Sequence, residues 1–248
     1  MTTELLTERR GSTLLITLSG PATRNALVKQ VFAAGIETLN IAESNPDVKA
    51  VVLTGAGEHF CAGADLQHRL HHVGHLAEQG AQIDGFHQWI EALRSFPKPV
   101  VAAVEGLAAG NGLSLALACD LIVASETARF CAHSNQTPLT PEGGLSHALV
   151  QSVGRGRALE VLWQTTPFGV HEWAQWGLIQ KVVPTGQAVQ AALDWTEQLG
   201  GLPASVVASI KELVNDASNQ PLRAQMNAEK QHALINLARG QIPGQIPD

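Results

Sequence analysis

The chain has 248 residues, 45% of them hydrophobic and 15% charged, and a net charge of −6 at neutral pH. Those totals describe a core-forming globular chain that buries roughly three-quarters of its unfolded surface, and they exclude a disordered polymer. The acidic balance excludes a general nucleic-acid or membrane-surface binder, so any anionic ligand has to be held by local features.

The opening MTTELLTERR is polar where a secretory leader needs an apolar core. The longest apolar stretch, 113–124, is interrupted by Asp120 and too short to span a bilayer. Cys61, Cys119 and Cys131 form no CxxC pair and suit buried free thiols in a reducing compartment, so a soluble, cytoplasmic protein is expected.

Leu5–Arg10 and Thr13–Leu18 flank Gly11-Ser12 and predict a β-hairpin. Asn25 stands where an N-cap belongs, ahead of a helical run that stops at Asn45-Pro46. The buried-type strand Val48–Thr54 leads into a glycine loop, GAGEHFCAGADL, and then a histidine-rich polar segment. A helix is predicted near Ile83–Ser95, stopped by Pro97-Lys98-Pro99, with a buried strand at Val100–Val104. A second glycine loop, GLAAGNG, opens the short apolar helix LSLALAC, and strands follow at Leu121–Ala124 and Ala128–Cys131. Helices are expected at Ser146–Val153 and Arg155–Gln164, then HEWAQWG, the strand-like LIQKVV, and only helices beyond Pro184. Short buried strands alternating with helices give an α/β class with parallel crossovers. The change of pattern divides the chain into a mixed core over 1–184 and a helical region over 185–248.

Both glycine loops follow a buried strand, and the second opens a helix. A helix start offers unpaired N–H groups and a partial positive charge, which suits an anion or a developing oxyanion. Small residues there let a ligand approach the backbone. Three uses compete. A dinucleotide fingerprint would read Gly110-x-Gly112, but Leu115 follows where a small residue belongs. A hydrolase nucleophile elbow would read Gly112-Leu113-Ser114-Leu115-Ala116, with Asp194 or Glu212 and then His232 as partners. Against it, a serine inside an apolar helix is commonly a small packing residue.

The third use rests on a resemblance. Gly55-x-Gly57-x-x-Phe60-Cys61-Ala62-Gly63-Ala64-Asp65-Leu66, with Lys98-Pro99-Val100-x-Ala102-x-Val104-x-Gly106-x-Ala108-x-Gly110-x-Gly112 and Leu115-Ala116-x-Ala118-Cys119-Asp120, resembles the enoyl-CoA hydratase/isomerase family, the crotonases. Arg24-Asn25-Ala26-Leu27, Ala128-Arg129-Phe130, Val153-Gly154-Arg155 and the segment from Ala174 to Pro184 agree with it in order. The resemblance implies a crotonase-like spiral of ββα units, with a helical C-terminal region used for oligomerisation into trimers or dimers of trimers. It implies an acyl-CoA thioester as substrate, no further cofactor and no metal. The family's two backbone donors to the thioester oxygen fall by position on Ala64 and Asn111. The segment around Ala62 would hold the adenine, Arg24 would lie near the CoA phosphates, and Asp65, Leu66, Gly110, Ser114 and Ser134 would line the substrate.

Hydratases of the family resemble one another in two glutamates whose positions fall here on Ser114 and Ser134. An acid–base pair for adding water is therefore not evident, although a serine can position a water. A third family position falls on Glu142, in TPLTPEGGLS, a context similar to that of peroxisomal-type 3,2-enoyl-CoA isomerases. One carboxylate beside an oxyanion hole suffices for an isomerase, which moves a proton from C2 to C4. The expected activity is thus a 3-enoyl to 2-enoyl shift, with hydration, other acyl-CoA lyase chemistry or silent CoA binding as alternatives. The competing view of Glu142 is a solvated acid in a helix's first turn.

Some features stand apart from that pattern. His68, Arg69, His71, His72 and His75 include i,i+4 pairs able to hold a metal, and a solvated, phosphate-contacting segment is the expected role. His133 and Ser134 contact substrate or each other, Ser146-His147 starts a helix, and Trp163, Trp173 and Trp176 have packing spacing. Glu105 replaces the family's common Asn, and the C-terminal Lys and Phe that touch CoA across subunits have no clear match.

Overall fold

Six strands build the main sheet among the residues that the computed structural model describes, 2–65, 74–132 and 139–239. β1 (Glu4–Arg10) and β2 (Thr13–Ser19) form the expected antiparallel hairpin. From β2 the pairing is parallel, through β3 (Ala50–Gly55), β4 (Val100–Val104), β6 (Leu121–Ser125) and β9 (Lys181–Val183). A parallel sheet is covered on both faces, so its strands read as continuous apolar runs, as AVVL and VVAAV do. Alternation along each strand feeds two cores. Val51, Leu53, Ala102 and Val104 face one, and Leu15, Val52, Val101 and Ala103 face the other.

A second, smaller stack pairs β5 (Leu107–Ala109) in parallel with β7 (Arg129–Cys131), and β7 antiparallel with β8 (Phe168–Gly169). Single bridges extend it, Cys61 with Ala108 and Leu27 with Ala64. Successive passes of the chain lay a strand in the main sheet, contribute a shorter pairing to the stack, and turn into a helix. That is the ββα spiral implied by the resemblance. β5 lies inside GLAAGNG, where only a loop is expected from sequence.

The larger core is covered by α1 (Lys29–Ser44), α2 (Leu76–Ser95), α3 (Asn111–Ala118), α4 (Leu145–Trp163) and α5 (Val170–Gln175). α1 approaches α2 closely because Gly35 lies against the Trp89 ring, where any side chain would collide. Lys98 donates to the Ala42 and Asn45 carbonyls at 2.5 and 2.8 Å, satisfying acceptors that the end of α1 leaves open. α4 breaks at Gly154, at φ 74° and ψ 167°, which is the boundary between the two helices expected there.

Beyond β9 come α6 (Ala188–Leu199), α7 (Ala204–Ala217) and α8 (Leu222–Arg239). α6 packs on the sheet through Ala188, Ala191 and Ala192, and the Glu105 carboxylate caps it by accepting the Ala188 N–H at 3.0 Å. Glu105, the departure from the family's Asn, thus has a structural partner. α7 and α8 bury no residue within the chain. α7 is tied down by polar contacts instead. Lys211 donates to the Asp120 carboxylate at 2.9 Å and the Leu93 carbonyl at 3.1 Å, and Asn215 to the Arg94 carbonyl at 2.9 Å. No helix among the described residues is long and apolar enough to cross a membrane.

Asn25 is not an N-cap, because α1 starts at Lys29 after an extended Val28. It is fully buried in the left-handed region, at φ 58°, a conformation that asparagine tolerates better than most residues. Its side-chain oxygen accepts the Gly20 N–H at 2.9 Å, and its amide donates to the carbonyls of Ala56, His59 and Phe60 at 3.0, 2.7 and 3.3 Å. Trp163 lies outside the core, 74% exposed, while Trp173 is buried with its ring centroid 4.7 Å from that of Phe130. α2 begins at Leu76, ahead of the expected Ile83, and only Lys181–Val183 of LIQKVV is strand.

Asn25→Ala strands several buried backbone groups at once, each worth about 1–3 kcal/mol, and is expected to lower stability by at least about 3 kcal/mol in a urea titration. Burial pushes the Cys61 thiol up to about 12, against a weaker pull from the Gly63 N–H. Cys61 should therefore resist alkylation at pH 8 in the folded protein and become labelled only along the unfolding transition, as read by mass spectrometry.

Candidate active site

The smaller stack brings the first glycine loop against the start of α3. The Cys61 N–H donates to the Leu107 carbonyl at 3.0 Å, and the Cys61 carbonyl receives the Ala109 N–H at 2.9 Å. Further along, the Ala62 N–H goes to the Arg24 carbonyl at 2.9 Å, that of Gly63 to the Cys61 sulfur at 3.4 Å, and that of Asp65 to the Leu27 carbonyl at 3.2 Å. Between them, the Ala64 N–H meets no backbone acceptor among the described residues. Across the gap, the Gly110 N–H goes to the Cys131 carbonyl at 3.0 Å and that of Ser114 to the Gly110 carbonyl at 3.1 Å. The Asn111 N–H, in the first turn of α3, is likewise without a backbone acceptor among the described residues. Gly63 makes this approach feasible. Its φ is 94°, and a methyl group there would sit 2.7 Å from the Ala109 oxygen and 3.2 Å from the Asn111 nitrogen.

The glycine loop around Ala64 thus lies against the first turn of α3, and Asn111 stands at a helix N-terminus, where the macrodipole favours negative charge. Glu142 reaches this region from the segment before α4. It is half-buried, and one carboxylate oxygen accepts from the Asn111 side-chain amide at 3.1 Å. Its main-chain carbonyl accepts from the Ser114 hydroxyl at 2.8 Å. Glu142 precedes α4, which starts at Leu145, so the solvated first-turn acid is not what the fold forms. The contact with Asn111 is a tertiary one, for which no periodicity or motif supplies a signal.

Arg24 is exposed and left-handed, with φ 54°, and its carbonyl accepts the Ala62 N–H, so those two lie side by side. Asp65 lies next to Ala64 and is partly buried beside Leu27 and Phe32. Gly110 turns the chain into α3 with φ 50° and ψ −122°. Leu66, His68, Arg69, His71, His72, His133 and Ser134 lie outside the described residues. Among the described residues no group of three metal-ligating side chains occurs.

Ser114 is buried inside α3, one turn beyond Asn111, and is not at a strand-to-helix elbow. His232 pairs loosely with Glu212, at 3.8 Å, and neither bonds Ser114, so the nucleophile arrangement is not formed. Beside Ser114 a cavity of about 250 Å³ opens between α2, α3 and the start of α4. Ile90, Leu117, Ala118 and Ala148 make it apolar, and His87 and Arg94 add polar groups.

The fold and the sequence have known counterparts. Residues 8–236 match the family model described as enoyl-CoA hydratase/isomerase. The crystal structure of an enoyl-CoA hydratase from Polaromonas sp. JS666 superposes with a TM-score of 0.91 at 44% identity, over 94% of this chain and 91% of that one. An enoyl-CoA hydratase of Mycobacterium tuberculosis is 32% identical over 88% of this chain and 82% of its own. A 1,2-epoxyphenylacetyl-CoA isomerase of Escherichia coli is 29% identical over 88% of this chain and 84% of its own. With its spiral of ββα units and a family match that runs over residues 8–236, the chain belongs to the enoyl-CoA hydratase/isomerase family.

Proposed function

We propose that this acyl-CoA enzyme shifts the double bond of a 3-enoyl-CoA to the 2-position, with Glu142 as the acid–base group. The amides of Ala64 and Asn111 hold the thioester oxygen. Glu142 removes a proton from C2, the C–H pair becomes the C1–C2 π bond, and the carbonyl π pair moves onto the oxygen. The carbonyl then re-forms, C2–C3 becomes double, and the former C3–C4 π pair takes the proton back from Glu142 at C4. No proton is gained or lost overall. Each backbone donor lowers the enolate barrier by about 3–4 kcal/mol, the usual cost of removing one such donor.

One observation carries this reading, the hydrogen bond from the Asn111 side chain to the Glu142 carboxylate, which sets a base beside a candidate oxyanion donor. The acyl group runs from there into the cavity beside Ser114, while Arg24 and Ala62 attend the CoA moiety. α7 and α8 serve assembly with further copies of the chain through side chains such as Ile210, Val214, Met226 and Leu237, all more than half exposed. Hydration is the second reading. It draws support from the relatives named hydratases. Against it stand a serine at the position of one hydratase acid and the use of its hydroxyl on a main-chain carbonyl.

A panel of 3-enoyl-CoA and 2-enoyl-CoA substrates, followed for double-bond migration and for hydration, separates the two. Migration is expected to dominate, and 3-hydroxyacyl-CoA as the main product would overturn the proposal. Glu142→Gln is expected to lower isomerisation by about 10²–10⁴-fold, the usual range for a general acid–base group, with acyl-CoA binding retained.

A further inference from the structure

We infer that the side chains of Asn111 and Ser114 are positioning residues that clamp Glu142 to the helix carrying the oxyanion donor, an inference that rests on the isomerase reading above. Both contacts come from α3. The Asn111 amide donates to the Glu142 carboxylate at 3.1 Å, and the Ser114 hydroxyl donates to the Glu142 carbonyl at 2.8 Å, with a weaker 3.3 Å contact to the Gly110 carbonyl. Positions three apart on a helix share a face, so the two side chains grip Glu142 at its head group and at its main chain.

The grip has a physical purpose. Residues 139–142 belong to no helix or strand, and Gly143 and Gly144 follow with φ values of 63° and 72°. A base on such a segment would wander unless something rigid fixed it. α3 is rigid: Asn111 and Ser114 are only 7% and 2% exposed, and the helix is walled by the larger core. Gly143 lies so close to Ser114 that a methyl group on it would sit 3.0 Å from the Ser114 Cβ, which keeps the segment seated on α3.

Asn111 then works twice. Its main-chain N–H is directed at the thioester oxygen, and its side-chain amide holds the base that acts on the adjacent carbon. The separation between oxyanion and base is thereby set within one residue rather than across two flexible loops. Ser114, which stands where hydratases of this family carry an acid, spends its hydroxyl on the main chain of the base.

Asn111→Ala and Ser114→Ala retain every main-chain donor and remove only the grip. In each, kcat for the 3-enoyl-CoA shift is expected to fall about 10–100-fold, as a displacement near 1 Å of a reacting group does, while KM and acyl-CoA affinity stay within about threefold. Asn111→Asp sets a second carboxylate against Glu142, and two such groups resist ionising together. The acid limb of its pH–rate profile should therefore lie at higher pH than that of Asn111→Ala, a shift that mere packing damage would not produce. Independently of turnover, Asn111→Ala and Glu142→Ala should shift the urea midpoint non-additively in a double-mutant cycle. Additive shifts overturn the clamp, as does an Asn111→Ala enzyme with unchanged kcat where Glu142→Gln is dead. Should the unmodified enzyme move no double bond, the isomerase reading falls, and the cycle by itself decides whether the clamp exists.

Discussion

The parallel pairing of Cys61 with Ala108 is the interaction on which the site depends. Its two hydrogen bonds, at 3.0 and 2.9 Å, contribute only about 1 kcal/mol each in net stability, so their importance is geometric. They set the register between two chain segments that arrive from different strands of the main sheet. With that register in place, the segment around Ala64 lies against the first turn of α3. Asn25 secures the arrangement from the other side, tying the Gly20 turn to the carbonyls of 56, 59 and 60.

Small residues follow from this constraint. Gly63 faces the Ala109 carbonyl, and Gly112 lies on the main chain of Cys61, where a side chain would collide. The donors that result belong to the backbone, so they survive changes of side chain around them. This accounts for a scaffold shared with relatives named both hydratase and isomerase. On a shared scaffold the chemistry is decided by side chains, above all by which carboxylates are present and how firmly they are held. In this chain Ser114 and Glu142 are joined by a hydrogen bond from the Ser114 hydroxyl to the Glu142 carbonyl.

Charged side chains do comparable structural duty far from the site. Lys98 closes the end of α1, Glu105 opens α6, and Lys211 ties α7 to Asp120 and to the end of α2. Each spends a charge on the unpaired backbone groups of an element boundary, or on a partner beside one, where a charge-assisted bond outweighs a neutral one. α2, to which Lys211 and Asn215 bond, also walls the cavity beside Ser114, so α7 and that cavity wall share an anchor.

Much of the fold was legible in the residues themselves. The hairpin, the buried runs of β3 and β4, the short apolar helix α3 and the break of α4 at Gly154 all follow from local patterns of apolar residues and glycines. The ordered glycine and alanine motifs also named the family, whose match covers residues 8–236. Other features were not legible. β5 is three residues long and exists as a strand only because Cys131 and Cys61 lie on either side of it. Asn25 looked like a helix cap because its type suits one, yet its partners lie up to 35 residues away. The bond from Asn111 to Glu142 spans 31 residues and crosses from a helix to an irregular segment. Local chain order determines which segments become strand or helix, since that choice rests on nearest-neighbour sterics and apolar periodicity. Which side chains then meet depends on the register of distant pairings, and only the assembled spiral sets that.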